Sequence, residues 1–442
     1  MEIKTTHGEG CHLTIDAFEC KENLNSKELV TEFLEELPDL IGMKKISKAN
    51  VIRYADRNEK ESGVTGFIII AESHIAIHTY PEKRFLSADI FSCKEFDYEK
   101  AIEFVKSKFK PDNAEHNLLH RGHAENYDAD KHLEKIKGFD LEKIKSAGDI
   151  ISGMKNIGFQ AAHLGQAAEI LKKIKDSKAA IFLSFTSNMV SSGLREVFAY
   201  LVKHKMVDAI ITSVGSVEED LMKCSKSFLL GDFNVSDIDL HRKGINRIGN
   251  IFVPNDRYEM LEDVLVPFLK TMHEKQKHTG NLISPSELIY ELGKIVKDEN
   301  SILYWASKNN IPIFCPAITD GAFGLQLYFF KQSNKDFGID VTADMKQLGE
   351  LVLNAEKTAG IILGGGFAKH HLIGVNILRG GLDYAIYVTT AGEGDGSSSG
   401  ARPKEAKSWS KIKEDANNVC IEGDATIIFP LLALSMKETW NK

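Results

Sequence analysis

The sequence predicts two fold classes in one chain: an α+β unit built on an antiparallel sheet with helices on one face, then an α/β unit with a parallel sheet and helices on both faces. Three observations predict this. The 442 residues are too many for one hydrophobic core. Short alternating strands crowd residues 1–122, whereas continuous apolar strands separated by helical stretches fill residues 136–442. Between them, HRGHAENYDADKHLEKIKGFD is polar and charge-rich, and the linker is set at residues 123–135.

In the first stretch, HLTIDAFEC alternates like a half-buried strand. SKELVTEFLEELPDLIGM has helical spacing, with Ser26 standing where an N-cap belongs. NVIRYA, VTGFIIIAE, HIAIHTY and ADIFSC follow as strands, and the amphipathic YEKAIEFVKSKF closes the unit. In the second stretch AAIFLSF, SGLREVFAYLVKH, VDAIITS and VEEDLMKC alternate strand with helix, and IPIFCPA, AGIILGGG, YAIYVTT and VCIEGDATII continue the strands. Such alternation predicts a Rossmann-like sheet. SPSELIYELGKI carries its own helix start: Ser284 as N-cap, Pro285 in the first position and Glu287 closing a capping box.

Composition narrows the function. A net charge of −8 argues against nucleic acid as the main partner, because phosphate binding needs clustered Lys and Arg. The six cysteines form no C-x-x-C pair and are too sparse for a disulfide scaffold, so neither a zinc site nor any other metal site is expected. No signal core opens the chain and no run reaches membrane-span length. The expectation is a cytoplasmic protein with neither a nucleic-acid nor a membrane partner.

Glu72-Ser73-His74 interrupts an apolar run between two strands, with His78, Thr79, Pro81 and Glu82 close behind and Asp89 and Cys93 one strand further on. A serine hydroxyl in that setting can attack the carbonyl of the preceding residue and turn an amide into an ester. Elimination then releases the upstream chain and leaves dehydroalanine, which hydrolyses to a pyruvoyl group able to serve as an electron sink. Taken singly, Cys93 reads as a packed thiol and His78 as a hydrogen-bonded strand histidine. Together the residues G-V-T-G-F…E-S-H-x-x-x-H-T-x-P-E…A-D-x-F-x-C resemble the prokaryotic-type S-adenosylmethionine decarboxylases over residues 5–122. The resemblance implies cleavage between Glu72 and Ser73, a pyruvoyl group from Ser73, processing helped by Thr65 and His78, and proton donation by Cys93.

In the second stretch GIILGGGFAKHH joins a strand, a glycine run and a helix start, a setting in which backbone can approach a phosphate. TTAGEGDGSSSGARPKEAKSWSKIKEDA crowds glycine, serine and acids at a strand end, and then brings Glu405, Trp409 and Lys411 into one short stretch. A carboxylate and an indole face suit a cationic amine, and a lysine kept neutral can act as a nucleophile. FTSNMVSSGLRE, SVEEDLMKC, GINRIGNIFVPN, DENSILYWASKNNIPIF, ITDGAFG, GGGFAKHH, DGSSSGARPKEAKSWSKI and EGDATIIFPLL run in the order seen in deoxyhypusine synthases, which residues 135–442 resemble.

That resemblance implies that NAD takes hydride from spermidine. Lys411 then accepts the aminobutyl group as an imine and passes it to a lysine of the hypusine-bearing translation factor. His370 resembles the acid/base residue. Glu218, Glu219, His370, Glu405 and Trp409 would line the amine site. Ser187, Asn188, Ser191, Ser213, Gly215, Glu219, Asp320, Gly365, Thr390, Ala391, Asp424 and Ala425 would touch NAD. A homotetramer with shared sites is also implied for the synthase, and paired units for the decarboxylase. The chain departs from the eukaryotic pattern at Leu325 and Ser398, where aspartates help hold the amine, and so follows the archaeal branch; Ser216 replaces a family glycine. Two alternatives remain: transfer of the group to a small amine such as putrescine, as in homospermidine synthesis, and a first unit that is a non-catalytic regulatory module.

Overall fold

The computed structural model describes residues 10–121 and 133–440, and the chain divides into two compact units, Met1–Leu133 and Glu134–Lys442. The segment read as a linker, 123–135, lies outside the described residues up to 132.

The first unit is a six-stranded antiparallel sheet of β1 (Gly10–Phe18), β2 (Asn50–Tyr54), β3 (Gly63–Ile70), β4 (Ser73–Tyr80), β5 (Phe85–Ser92) and β6 (Asn113–Arg121). Its strand order is β2-β3-β4-β5-β1-β6. Alternation sends Leu13, Ile15, Ile75, Ile77, Ala88 and Ile90 to one face, where they form a single core with Val30, Phe33 and Leu34 of helix Lys27–Leu40 and Ile102 and Val105 of helix Tyr98–Phe109. The Ser26 hydroxyl caps the first of these helices by accepting the Leu29 N–H at 3.1 Å. The other face carries His12, His74, His78, Asp89 and Phe91 together with exposed Ile52, Phe67 and Ile69.

Strand β6 was not expected from the sequence. Its residues are mostly exposed, so it has no hydrophobic period; it is held by main-chain pairing to the free edge of β1 along its whole length, from Gly10↔Arg121 to Phe18↔Asn113.

The second unit centres on a six-stranded parallel sheet of β7 (Ala180–Phe185), β8 (Ala209–Thr212), β12 (Ile313–Phe314), β13 (Thr358–Leu363), β14 (Leu382–Thr389) and β15 (Ile412–Glu422). The spatial order β12-β8-β7-β13-β14-β15 is third, second, first, fourth, fifth, sixth in the chain, so the winding reverses between β7 and β13. Successive strand residues enter different cores. Leu183, Ile361 and Ile386 join one with helices Gln160–Asp176, Arg195–Lys203 and Ala425–Trp440. Phe182, Ile362 and Tyr387 join another with Leu348 and Leu372 from helices Val341–Asn354 and Gly366–Val375. Both faces are therefore covered.

IPIFCPA contributes only the two residues of β12. A small antiparallel sheet of β9 (Leu229–Leu230), β10 (Ile245–Ile248) and β11 (Ile251–Pro254) was not foreseen. Ser284 accepts the Glu287 N–H at 3.1 Å with Pro285 in the first helical position, as expected. The second half of the expected capping box is corrected: the Glu287 carboxylate pairs with Lys275 at 2.8 Å, a charge-assisted bond that outcompetes a neutral N–H.

A buried ion network braces this unit. Arg195 donates from Nε to Asp220 Oδ1 at 2.5 Å and from Nη2 to Asp298 Oδ2 at 2.7 Å. Asp220 Oδ2 accepts the Ser301 hydroxyl at 2.7 Å and the Leu303 N–H at 2.9 Å. Removing one member leaves a buried charge unpaired. Arg195→Ala is therefore expected to cost about 3–5 kcal/mol, read as a lower urea midpoint at unchanged slope. A loss below about 1 kcal/mol, the scale of a surface pair, would show that the network does not brace the unit. Among the described residues no helix is long and apolar enough to cross a membrane.

Candidate active sites

In the first unit Ile70 pairs directly with Ser73, so Ala71-Glu72 is the two-residue loop of the β3–β4 hairpin and the Glu72–Ser73 peptide lies at its tip. The Glu72 carbonyl accepts the backbone N–H of Cys93 at 3.0 Å, just beyond β5. A donor at that oxygen favours negative charge there. The Ser73 hydroxyl is 3.1 Å from His74 Nδ1. His74 Nε2 is 3.4 Å from Asp89 Oδ1, and Asp89 Oδ2 is 2.6 Å from His12 Nε2. Cys93 is exposed. Of the residues singled out in the sequence, Glu72, Ser73 and Cys93 thus come together.

Thr65 and His78 form a pair of their own, Thr65 Oγ1 to His78 Nδ1 at 3.1 Å. They stand opposite each other on β3 and β4, five residues along β4 from Ser73, about 17 Å at strand rise. They do not reach the Ser73 of their own chain. His12 was missed from the sequence, because its link to Asp89 runs between strands far apart in the chain; Asp89 and His74 were visible in the motif but without a role.

In the second unit the residues singled out for a dinucleotide collect on the carboxyl edge of the parallel sheet. Ser187, Asn188 and Ser191 follow β7, and Ser213, Gly215 and Glu219 follow β8. Asp320 follows β12 and caps helix Gly321–Ser333. Gly365 follows β13, Thr390 and Ala391 follow β14, and Asp424 and Ala425 follow β15. That edge, where winding reverses, is where ligands bind in open parallel sheets.

Helices Val214–Lys223 and Gly366–Val375 both begin there without a side-chain cap. Close packing keeps side chains out: a Cβ on Gly215 would stand 2.7 Å from the Ser187 Cβ, and one on Gly365 would stand 2.3 Å from the Ser399 Cα. Uncapped N–H groups at glycine-lined helix starts fit a pyrophosphate.

Glu218 and Glu219 are buried at the same edge. Glu218 accepts the Phe323 N–H at 2.7 Å, and Glu219 accepts the Ser191 hydroxyl. Burial raises both carboxyls, Glu219 to about 8, with the Glu218 charge adding to the latter. In the unfolded chain Glu219 ionises near the ordinary 4.5. Its contribution is therefore fully present below that pH and is lost as pH rises toward 8. Glu219→Gln removes this slope, so its melting temperature should gain on that of the wild type between about pH 5 and pH 8. Parallel melting curves for the two chains across that range would refute the assignment.

Lys411 and His370 form a separate cluster. Lys411 Nζ is 3.4 Å from His370 Nε2 and 5.2 Å from the centre of the Trp409 ring. Glu405 sits one turn earlier, in helix Pro403–Lys407. Leu325 is exposed on helix Gly321–Ser333, and the Ser398 hydroxyl donates to the Gly366 carbonyl at 3.2 Å.

The main chain of Lys411 is not at the carboxyl edge of the sheet. The Lys411 carbonyl accepts the Leu382 N–H at the start of β14, whereas the Thr389 carbonyl at its end accepts the Gly423 N–H. Seven strand steps, about 23 Å, separate the two ends. The Lys411 side chain nonetheless reaches His370, which lies one helical turn from Gly366 at the carboxyl edge, so the structure brings Lys411, His370 and Trp409 together beside that edge.

Comparison with known proteins matches residues 149–436 to the family model described as deoxyhypusine synthase and residues 11–122 to that described as S-adenosylmethionine decarboxylase. The protein named "Probable deoxyhypusine synthase" of Pyrococcus furiosus is 50% identical over 311 residues, 67% of this chain and 93% of that one. Its namesake in Methanocaldococcus jannaschii is 53% identical over 290 residues, 62% of this chain and 88% of that one. The deoxyhypusine synthase of Senecio vernalis is 44% identical over 324 residues, 67% of this chain and 87% of that one.

Proposed function

The chain belongs to the deoxyhypusine synthase family and carries an S-adenosylmethionine decarboxylase family unit ahead of it; from that premise we propose a bifunctional polyamine enzyme. The first unit cleaves itself before Ser73 and decarboxylates S-adenosylmethionine. The second moves the aminobutyl group of spermidine, by way of a Lys411 imine, to a lysine of the hypusine-bearing translation factor. The observation that carries the reading is Lys411 Nζ set 3.4 Å from His370 Nε2 beside the Trp409 ring, a nucleophilic amine with a proton acceptor and an aromatic wall for a cationic chain.

NAD, when bound, supplies the hydride acceptor. The chain's own part is to hold it at the carboxyl edge: Ser187, Asn188 and Ser191 from one strand end, Ser213, Gly215 and Glu219 from the next, then Asp320, Gly365, Thr390, Ala391, Asp424 and Ala425. The reading includes a homotetramer with sites shared between copies. In the first unit Thr65 and His78 lie too far from their own Ser73 and are suited to the Ser73 of a second copy. Cys93, exposed beside the Glu72 carbonyl, is the proton donor for decarboxylation. The reading places the protein in the cytoplasm, with Ser73 as the source of its pyruvoyl group.

The test is to incubate the full chain with NAD and labelled spermidine, adding either the translation factor or putrescine. Label on the factor is the expected result; label in a putrescine product alone would overturn the choice of acceptor.

A further inference from the structure

We propose that His74, backed by Asp89 and His12, is the base that takes the Ser73 hydroxyl proton during self-cleavage. The inference rests on the decarboxylase reading and deepens it.

Three strands contribute to the relay. Ser73 and His74 open β4, Asp89 lies on β5 and His12 on β1, all at the hairpin end of the open sheet face. His74 Nδ1 is 3.1 Å from the Ser73 hydroxyl. To accept that proton at Nδ1, the neutral ring must carry its own proton on Nε2, the nitrogen 3.4 Å from Asp89 Oδ1. That oxygen is buried and has no hydrogen-bond partner, while its twin Oδ2 is held by His12 at 2.6 Å. An unsatisfied buried carboxylate oxygen gains most from a positive charge forming beside it. Phe91 sets the geometry: its ring lies 5.6 Å from that of His12 and 6.2 Å from that of His74, separating the two imidazoles while both reach Asp89.

The steps balance without a co-reactant. Ser73 Oγ bonds to the Glu72 carbonyl carbon as its proton passes to His74 Nδ1. The charge that develops on the Glu72 oxygen meets the Cys93 N–H, 3.0 Å away. The Glu72–Ser73 C–N bond then breaks, and His74 returns the proton to the Ser73 nitrogen, leaving an ester and a free amine. His78 cannot take this role within the chain, because it stands five residues along β4 with Thr65 as its partner. His74 touches the reacting hydroxyl and is the catalytic residue; Asp89 and His12 are positioning residues.

The experiment follows cleavage of the full chain on a denaturing gel. The wild type should yield fragments 1–72 and 73–442. His74→Ala should slow this on the order of 100-fold, and imidazole added to the buffer should restore part of the rate, which a packing role would not allow. Asp89→Asn should slow cleavage about 10-fold, and Asp89→Glu, which keeps the charge, should lie closer to the wild type. A wild-type chain that stays whole overturns the decarboxylase reading and the relay together. A wild-type chain that cleaves while His74→Ala keeps pace overturns the relay alone. So does a slowed His74→Ala chain that imidazole does not rescue, if Asp89→Glu is also no faster than Asp89→Asn.

Discussion

Replacing Lys411 with arginine is expected to abolish amine transfer, with a loss on the order of 10⁴-fold or more. The substitution isolates one property. Arginine keeps the positive charge and can still lie over the Trp409 ring, which the Lys411 ammonium approaches to 5.2 Å. It is never deprotonated in a protein and so cannot form an imine. Lys411→Ala should be equally inactive but would also remove the packing, so the arginine variant carries the argument. The measurement is covalent label from spermidine retained on the protein after borohydride reduction, alongside label transferred to the acceptor. An arginine chain that still transfers the group would show that Lys411 binds the amine without forming a bond to it. The break before Ser73 should be untouched in both variants, because it depends on residues of the first unit alone.

The second large effect concerns that break. Ser73→Ala removes the hydroxyl proposed to attack the Glu72 carbonyl, so the chain should remain one full-length band and all decarboxylation should be lost. The hairpin itself asks little of the side chain, since Ser73 is held by β4 pairing to both Ile70 and Ser92. Loss of cleavage would therefore reflect chemistry and not a disrupted tip. Amine transfer by the second unit should continue at its wild-type rate. A Ser73→Ala chain that still breaks between residues 72 and 73 would mean that cleavage has another cause.

The two sites differ in how much of them was legible in the sequence. The strand–helix alternation after residue 136 and the covered face of the first sheet follow from apolar periodicity, which is a local property. The proposed nucleophiles Ser73 and Lys411 are legible because their neighbours carry unusual chemistry within a few residues. β6 was not legible, because its residues bury little and its stability comes from pairing with β1. Likewise, the local pattern at Ser284 does not show that Lys275, nine residues before it, takes the Glu287 carboxylate from the capping box.

What the sequence by itself determined is the pair of fold classes and the chemistry available at each site, since residue type and hydrophobic period are written along the chain. Only the tertiary structure decided which groups meet. Strand register brings His12, His74 and Asp89 from three strands to one end of the open face. Strand register also carries Thr65 and His78 about 17 Å along β4 from Ser73. The reason is physical. Pairing aligns residues remote in sequence through main-chain hydrogen bonds common to all side chains, so nothing in the side chains at either site records the distance between them.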